Sequence, residues 1–404
     1  MSGLPLKGAL ADSDLPVLED AGILLHGERI LELGAYGDLE KKAAELGAGR
    51  WNPGPEVIAL PGLIDCHTHT CYAGTRARDY ALRNSGKTYL EIARAGGGIW
   101  DTVTQTRQAH PDELRRLLAE RCARFLADGV TTLEVKSGYG LSVAEELKML
   151  RVIRDAGPEV TQDLVPTCLA AHMLPKDFEG SPTEYLALLL EELLPVVLKE
   201  GLAGRVDAFV EASAFGGEEI LPYLNQAREM GFDITVHADQ FSTGGSAVAI
   251  ASGAVSADHL EASGPEEILA LAGSPVIATA LPGASLGLGC GYTPARALLD
   301  AGAALAIASD YNPGSAPMGD LVAQAAILGA AEKLTNAEVW AGITCRAAAA
   351  LRLADRGRLE PGLLADLTLY RTPHFNEILY RQGRLKPAWV WKNGQCVYGK
   401  RDMA

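Results

Sequence analysis

The sequence predicts an α/β chain: a (β/α)8 barrel of the TIM type, carrying a small β-sandwich-like domain made from both chain termini. Three observations carry this reading. The chain has 404 residues, too many for one ordinary core and suited to a barrel of roughly 250–300 residues plus a smaller unit. Short apolar runs rich in Val, Ile, Leu and Ala alternate with helical segments, the pattern of βα units and a parallel sheet. Eight such runs occur, the number that closes a barrel.

In chain order the runs are Leu63–Thr68, Val130–Val135, Leu164–Ala170, Val206–Val210, Asp233–Val236, Ala254–Ala257, Val276–Leu281 and Ala304–Ala308. Helices fill the gaps. After Pro111, the apolar residues Leu114, Leu117, Leu118, Cys122 and Phe125 recur at helical spacing, and Asp128-Gly129 ends the repeat with a glycine that tolerates a left-handed cap. Ser142-Val143-Ala144-Glu145 reads as a capping box opening the next helix. Outside the barrel, residues 15–60 and 355–400 hold short strands and turn signals, among them Pro361-Gly362 and Asn393-Gly394. Ile23–Leu33 and Trp389–Tyr398 have β-like patterning, so the termini are expected to meet. The expected division is 1–59 plus 352–404 for the composite small domain and 60–351 for the barrel.

Composition narrows the function classes. Hydrophobic residues make up 48% and charged residues 22%, enough to bury a large core. The formal net charge of −15 repels phosphate backbones, so no nucleic-acid partner is expected. Met1–Leu10 has no long apolar core, and Tyr185–Leu198, the greasiest stretch, is broken by Glu191, Glu192 and Pro195. Neither a secretory signal nor a membrane span is expected. The seven cysteines are scattered without a CxxC pair, which points to reduced thiols in a cytoplasmic protein.

The chain has eight histidines. Five of them (His67, His69, His172, His237 and His259) lie at or just past the end of an expected strand, as do Asp310 and Glu211. Barrel strands converge at their C-terminal ends, where active sites are built. His67 and His69 are two apart, so on a strand both imidazoles point to one face. An isolated HxH is equally a pair of hydrogen-bonded histidines in a barrel mouth. With His237 and Asp310 from other strands, the set becomes rich in nitrogen with one carboxylate. That composition suits one divalent ion, Zn2+ or Fe2+, better than Mg2+ or Ca2+. His26, His110 and His374 fall outside the strand ends and read as surface residues.

Pro61-Gly62-Leu63-Ile64-Asp65-Cys66-His67-Thr68-His69 resembles the opening strand of the amidohydrolase superfamily. Several further segments are similar to the imidazolonepropionase family within it: Ala73-Gly74-Thr75-Arg76, Gly96-Gly97-Gly98-Ile99, Glu134-Val135-Lys136-Ser137-Gly138-Tyr139-Gly140, His237-Ala238-Asp239-Gln240, Ser256-Ala257-Asp258-His259-Leu260 and Ser309-Asp310-Tyr311-Asn312-Pro313-Gly314-Ser315. They span residues 60 to 350 in the family's order.

The resemblance implies hydrolysis of 4-imidazolone-5-propanoate, a cyclic amide with a carboxylate tail, to N-formimino-L-glutamate, and a homodimer. It implies His67, His69, His237 and Asp310 as metal ligands. Asp310 would move protons, with His259 stabilising the oxyanion or sharing the base role. Arg76, Tyr89, Tyr139, His172, Gln240, Asn312, Gly314 and Ser315 would contact the substrate, Arg76 through the tail carboxylate.

Many family members carry glutamate where this chain has Gln240 and others carry glutamine, and a glutamine cannot act as a general base. Leu379-Tyr380-Arg381-Gln382-Gly383 replaces an aromatic and histidine-containing turn. Lys136 is expected to be structural or a charge partner, Gly96-Gly97-Gly98 a turn, and Glu211 to orient a neighbour or meet the substrate. Two alternatives stand beside the imidazolone hydrolase. One is another amidohydrolase acting on a different cyclic amide or a deaminase; the other is a metal-stabilised binding protein without catalysis.

Overall fold

Eight parallel strands form in a computed structural model of the chain, which describes residues 3–87, 91–92, 95–212 and 214–399. They are Leu63–Asp65, Val130–Lys136, Asp163–Ala171, Arg205–Phe209, Asp233–Ala238, Ser256–His259, Ile277–Ala280 and Ala304–Ile307. Each pairs with the next in chain order. The first and last join through a parallel bridge between Thr68 and Tyr311, flanked by Asp310 N–H to His67 O and His69 N–H to Tyr311 O. The sheet is therefore a closed cylinder, as expected, and has no free edge.

Strands covered on both faces lose the period-2 alternation that marks half-buried ones. Val130–Lys136 is buried at all seven positions. The helices cover the outside. Pro111–Ala127 starts with its proline at the first turn and buries Leu114, Leu118, Cys122 and Phe125. It stops at Asp128, and Gly129 follows with φ +94. A Cβ there would lie 2.8 Å from Thr368 Cγ2, so glycine is required both for the turn and for contact with the small sheet.

The next helix, Val143–Ala156, corrects one expectation. Ser142 accepts from Glu145 N–H, but the Glu145 carboxylate pairs with Lys148 at 2.5 Å instead of returning to the cap. Half of the capping box is present. The Tyr185–Leu198 stretch is helical throughout, with one π turn over Leu189–Leu193. Pro195 accounts for that turn, since it lacks an N–H and its ring clashes with the carbonyl four residues back. Among the described residues, no helix is long and apolar enough to cross a membrane.

The two termini meet. Val57–Pro61 pairs antiparallel with Leu367–Arg371, which continues to Trp389–Lys392 and Gln395–Tyr398. The hairpin Ala21–His26/Arg29–Ala35 is tied on through Ile30 N–H to Leu363 O. Trp51, Trp389 and Trp391 pack with Leu367 and Leu369 between these layers. Residues 4–14, which sequence joins to this unit, lie against the barrel instead. Leu4 and Leu10 are buried, Gly8 N–H bonds Ala303 O, and Arg346 donates to the carbonyls of Pro5 and Gly8. This segment seals the end of the barrel opposite the histidines.

Candidate active site

The first barrel strand ends at Asp65, but the chain runs on extended, and its side chains keep alternating. Thr68 turns to the second strand, donating its backbone N–H to Glu134 Oε2 at 3.0 Å and its hydroxyl to Glu134 O at 2.6 Å. His67 and His69 therefore point to the barrel axis. His237 rises from the fifth strand and Asp310 follows the eighth. Asp310 Oδ1 lies 3.5 Å from His67 Nε2 and 3.3 Å from His69 Nε2, and His69 Nε2 lies 3.4 Å from His237 Nε2. His259, at the end of the sixth strand, has a ring nitrogen within 4.8 Å of those of His67 and His237. All five side chains are buried.

These donors fit a divalent ion. Ligands held at about 2.0–2.1 Å in a tetrahedral arrangement stand about 3.3 Å apart, close to the separations here. His67 Nε2 is buried without a hydrogen-bond partner among the described residues, as expected of a lone pair reserved for a cation.

Behind the ligands stands a layer of carboxylates. His67 Nδ1 faces Asp258 Oδ2 at 2.6 Å, and His237 Nδ1 faces Asp207 Oδ2 at 2.9 Å. Such contacts fix the Nδ1–H tautomer and leave Nε2 free to ligate. Lys136, fully buried, sits 2.7 Å from both Glu134 Oε1 and Asp207 Oδ2, which makes it the charge partner that sequence expects.

The fields on the ligands diverge. Burial, opposed by Asp310, pushes His69 down to about 3. Burial and Lys136 also oppose the charged form of His67, but Asp258 and Asp310 outweigh them and raise it to about 9. Burial works against the charge on Asp310, yet His67 and His69 hold it well below the usual carboxylate range.

The backbone is strained at the same place. Asp239, His259, Leu260 and Asp310 all have positive φ, from +50 to +86. Each such non-glycine residue costs roughly 1–3 kcal/mol, and strain of this kind clusters at functional sites.

Around the ligands the expected substrate contacts fall into place unevenly. The His172 ring stacks on His69 with centroids 5.6 Å apart and donates through Nδ1 to Gly138 O, 2.9 Å away. The Tyr139 ring lies 5.8 Å from His69 and 5.7 Å from His172. Its loop is shaped by Glu146, whose buried carboxylate accepts from the N–H groups of Gly138, Gly140 and Leu141.

Arg76 is set by Asp79, which accepts from Arg76 Nε at 2.7 Å and from Gly98 N–H at 2.8 Å. Gly97 has to be bare, since a Cβ there would meet Asp79 Oδ1 at 2.2 Å. The triglycine is thus a turn, as expected, and its work is to let Asp79 hold Arg76. Gln240 is half-buried at the rim. Glu211 orients a neighbour: its carboxylate accepts from the N–H groups of Phe241 and Ser242 and from the Ser242 hydroxyl, pinning the turn next to Gln240.

The Asn312 amide is turned to its own loop. It donates to Asp310 O at 2.7 Å, Asp310 Oδ2 at 3.0 Å and Ser315 Oγ at 2.9 Å, and its oxygen accepts from Gly314 and Ser315 N–H. Asn312 and Ser315 therefore orient Asp310. Gly314 lies under the Arg76 guanidinium. Tyr89 lies outside the described residues. His26, His110 and His374 are exposed, as expected.

Asp79, Glu146, Asp207 and Asp258 escaped the reading of the sequence. A usable signal exists for two of them: Asp207 is ionisable inside an apolar strand, and Asp258 directly precedes His259.

Comparison with known proteins agrees with this geometry. A model described as Amidohydrolase family matches residues 89–398. An imidazolonepropionase of Paracoccus denitrificans is 41% identical over 369 residues, covering 91% of this chain and 92% of its own. One of Myxococcus xanthus is 43% identical over 363 residues, covering 88% and 86%. One of Bdellovibrio bacteriovorus is 39% identical over 405 residues, covering 98% and 95%. Among solved structures, zinc-complexed atrazine chlorohydrolase TrzN of Arthrobacter aurescens TC1 superposes with TM-score 0.70 at 18% identity, covering 98% of this chain and 94% of its own. A zinc-bound adenosine deaminase of Xanthomonas campestris gives 0.70 at 20%, covering 99% and 93%. At such identities these two share the fold.

Proposed function

The chain belongs to the amidohydrolase family, and within it to the imidazolonepropionases, and from that premise we propose that it hydrolyses the ring amide of 4-imidazolone-5-propanoate to N-formimino-L-glutamate, a step of histidine degradation. The observation that carries the reading is the run of contacts from His237 to His69 at 3.4 Å and from His69 and His67 to Asp310 at 3.3 and 3.5 Å, in a chain alike to imidazolonepropionases over nine-tenths of its length.

His67, His69, His237 and Asp310 would hold one divalent ion, Zn2+ or Fe2+. When bound, such an ion polarises a carbonyl and makes water a better nucleophile at neutral pH. The residues do the rest. Arg76 keeps both terminal guanidinium nitrogens for the tail carboxylate, because Asp79 takes Nε. Tyr139 and His172 flank His69 and wall the space for the ring. Water oxygen bonds to the ring carbonyl carbon as the carbon–nitrogen bond of the amide breaks. Asp310, kept ionised and aimed by Asn312 and Ser315, takes the water proton and passes it to the leaving nitrogen. His259 faces the developing oxyanion.

Gln240 separates this reading from a deaminase. It occupies the position where a glutamate moves a proton in such enzymes, and an amide cannot do so. It serves as a hydrogen-bond partner for the ring. In this reading the enzyme works in a reducing cytoplasm, as a homodimer; light scattering that shows only monomer would refute the last point.

The test is to incubate the metal-replete protein with 4-imidazolone-5-propanoate. Loss of the imidazolone absorbance with stoichiometric N-formimino-L-glutamate is expected. An unchanged spectrum with an intact metal complement rejects the substrate.

A further inference from the structure

Glu261 belongs to no segment assigned a role above, yet it stands directly behind His259. Its side chain is 5% exposed, and its Oε2 lies 3.4 Å from His259 Nδ1. Both atoms are buried, and neither has a hydrogen-bond partner among the described residues, so the close approach of the carboxylate is the one polar contact offered to Nδ1. Its other oxygen, Oε1, accepts from Ser285 Oγ at 3.1 Å, in the helix Pro282–Leu288 that follows the seventh strand. The carboxylate is thus anchored on one side and open to a single group on the other.

The chain bends in an uncommon way to bring this about. His259 and Leu260 have φ +86 and +69, successive non-glycine residues in the left-handed region. The Thr293 hydroxyl holds the His259 carbonyl, and Leu260 N–H bonds Ala238 O. With the backbone pinned on both sides, the ring turns one edge to Glu261 and the other to the cluster of His67, His237 and Asp310. A carboxylate at Nδ1 selects the Nδ1–H tautomer and leaves the lone pair on Nε2. His67 and His237 have the same arrangement with Asp258 and Asp207, but Glu261 serves a histidine outside the proposed ligand set.

We propose that Glu261 is a positioning residue for His259, holding its imidazole in one orientation and tautomer so that Nε2 meets the reacting amide. The inference rests on the proposed role of His259 at the developing oxyanion.

A double-mutant cycle tests it, with metal content and thermal melting measured for every variant. Glu261→Ala lowers kcat about 10–100-fold, changes KM less than twofold and leaves one bound ion. Glu261→Gln, whose amide oxygen still accepts from Nδ1–H, recovers much of the loss. In a His259→Asn background Glu261→Ala has no further effect on kcat. Equal losses in both backgrounds, or an unchanged kcat in Glu261→Ala, overturn the proposal. Full turnover in His259→Asn alone removes the role of His259, and this inference with it.

Discussion

His67 Nδ1 lies 2.6 Å from Asp258 Oδ2, so this buried histidine is oriented by a carboxylate 191 residues away. The sixth strand thereby sets the donor direction of a residue on the first, and the closed barrel keeps the two in register. The parallel contact from Asp207 to His237 is 2.9 Å. In the proposed centre the carboxylates would orient the histidines that hold the ion.

Asp258→Asn and Asp207→Asn are therefore expected to weaken metal binding about 10–100-fold each. Competition with a calibrated chelator measures this. Wild-type affinity in both variants would show that the carboxylates only fill space.

Asp310→Asn removes the proton carrier while retaining one oxygen near His67 and His69. Loss of most of kcat is expected, about 100-fold or more for a positioned acid–base group, in protein reconstituted with metal. Near-normal turnover would rule the assignment out.

Arg76→Ala is expected to raise KM far more than it lowers kcat, since a charged hydrogen bond to a tail carboxylate contributes about 1.5–3 kcal/mol. Asp79→Asn should move KM in the same direction by a smaller factor. An unchanged KM in Arg76→Ala places the carboxylate elsewhere.

The proton on His67 gives a pH dependence. In the ion-free site this histidine is raised to about 9, by Asp258 and Asp310 against burial and Lys136, while His69 is pushed down to about 3 and is already neutral. Below pH 9 the incoming ion must displace one proton, from His67. Apparent metal affinity should climb about tenfold per pH unit between 7 and 9 and then flatten. Equal affinities at pH 7 and pH 8.5 would contradict the field described here.

Lys136→Met leaves Glu134 and Asp207 facing each other in the barrel interior without their cation. Removing one partner of a buried pair costs about 3–5 kcal/mol, read from denaturant unfolding. A loss below about 1 kcal/mol would mean that the two acids are neutralised some other way.

Much of this was legible in the sequence because barrel strands are short, apolar and separated by helices. The eight runs coincide with the observed strands within a few residues. The largest offset is the sixth, expected at Ala254–Ala257 and found at Ser256–His259. There the strand ends in Asp258 and His259, whose polarity serves the site and masks the strand. The first strand shows the reverse: its apolar pattern runs to Thr68, but regular pairing stops at Asp65, where the chain turns its alternation to holding histidines. The histidines that gather at the barrel mouth were legible because histidine is rare and strand ends converge. The groups behind them were not. Asp207 meets His237 through the pairing of the fourth and fifth strands, Asp258 meets His67 through the barrel's closure, and Glu261 meets His259 through a left-handed bend, none of which spacing alone reveals.

One ion on four side chains would make this chain a hydrolase, so metal-free protein should regain activity only as the ion is returned. Zn2+ or Fe2+ added in steps, with ring opening of 4-imidazolone-5-propanoate followed at each, should restore activity in proportion and saturate at one equivalent per chain. Full activity in rigorously metal-free protein, or a plateau reached only at two equivalents, would contradict it.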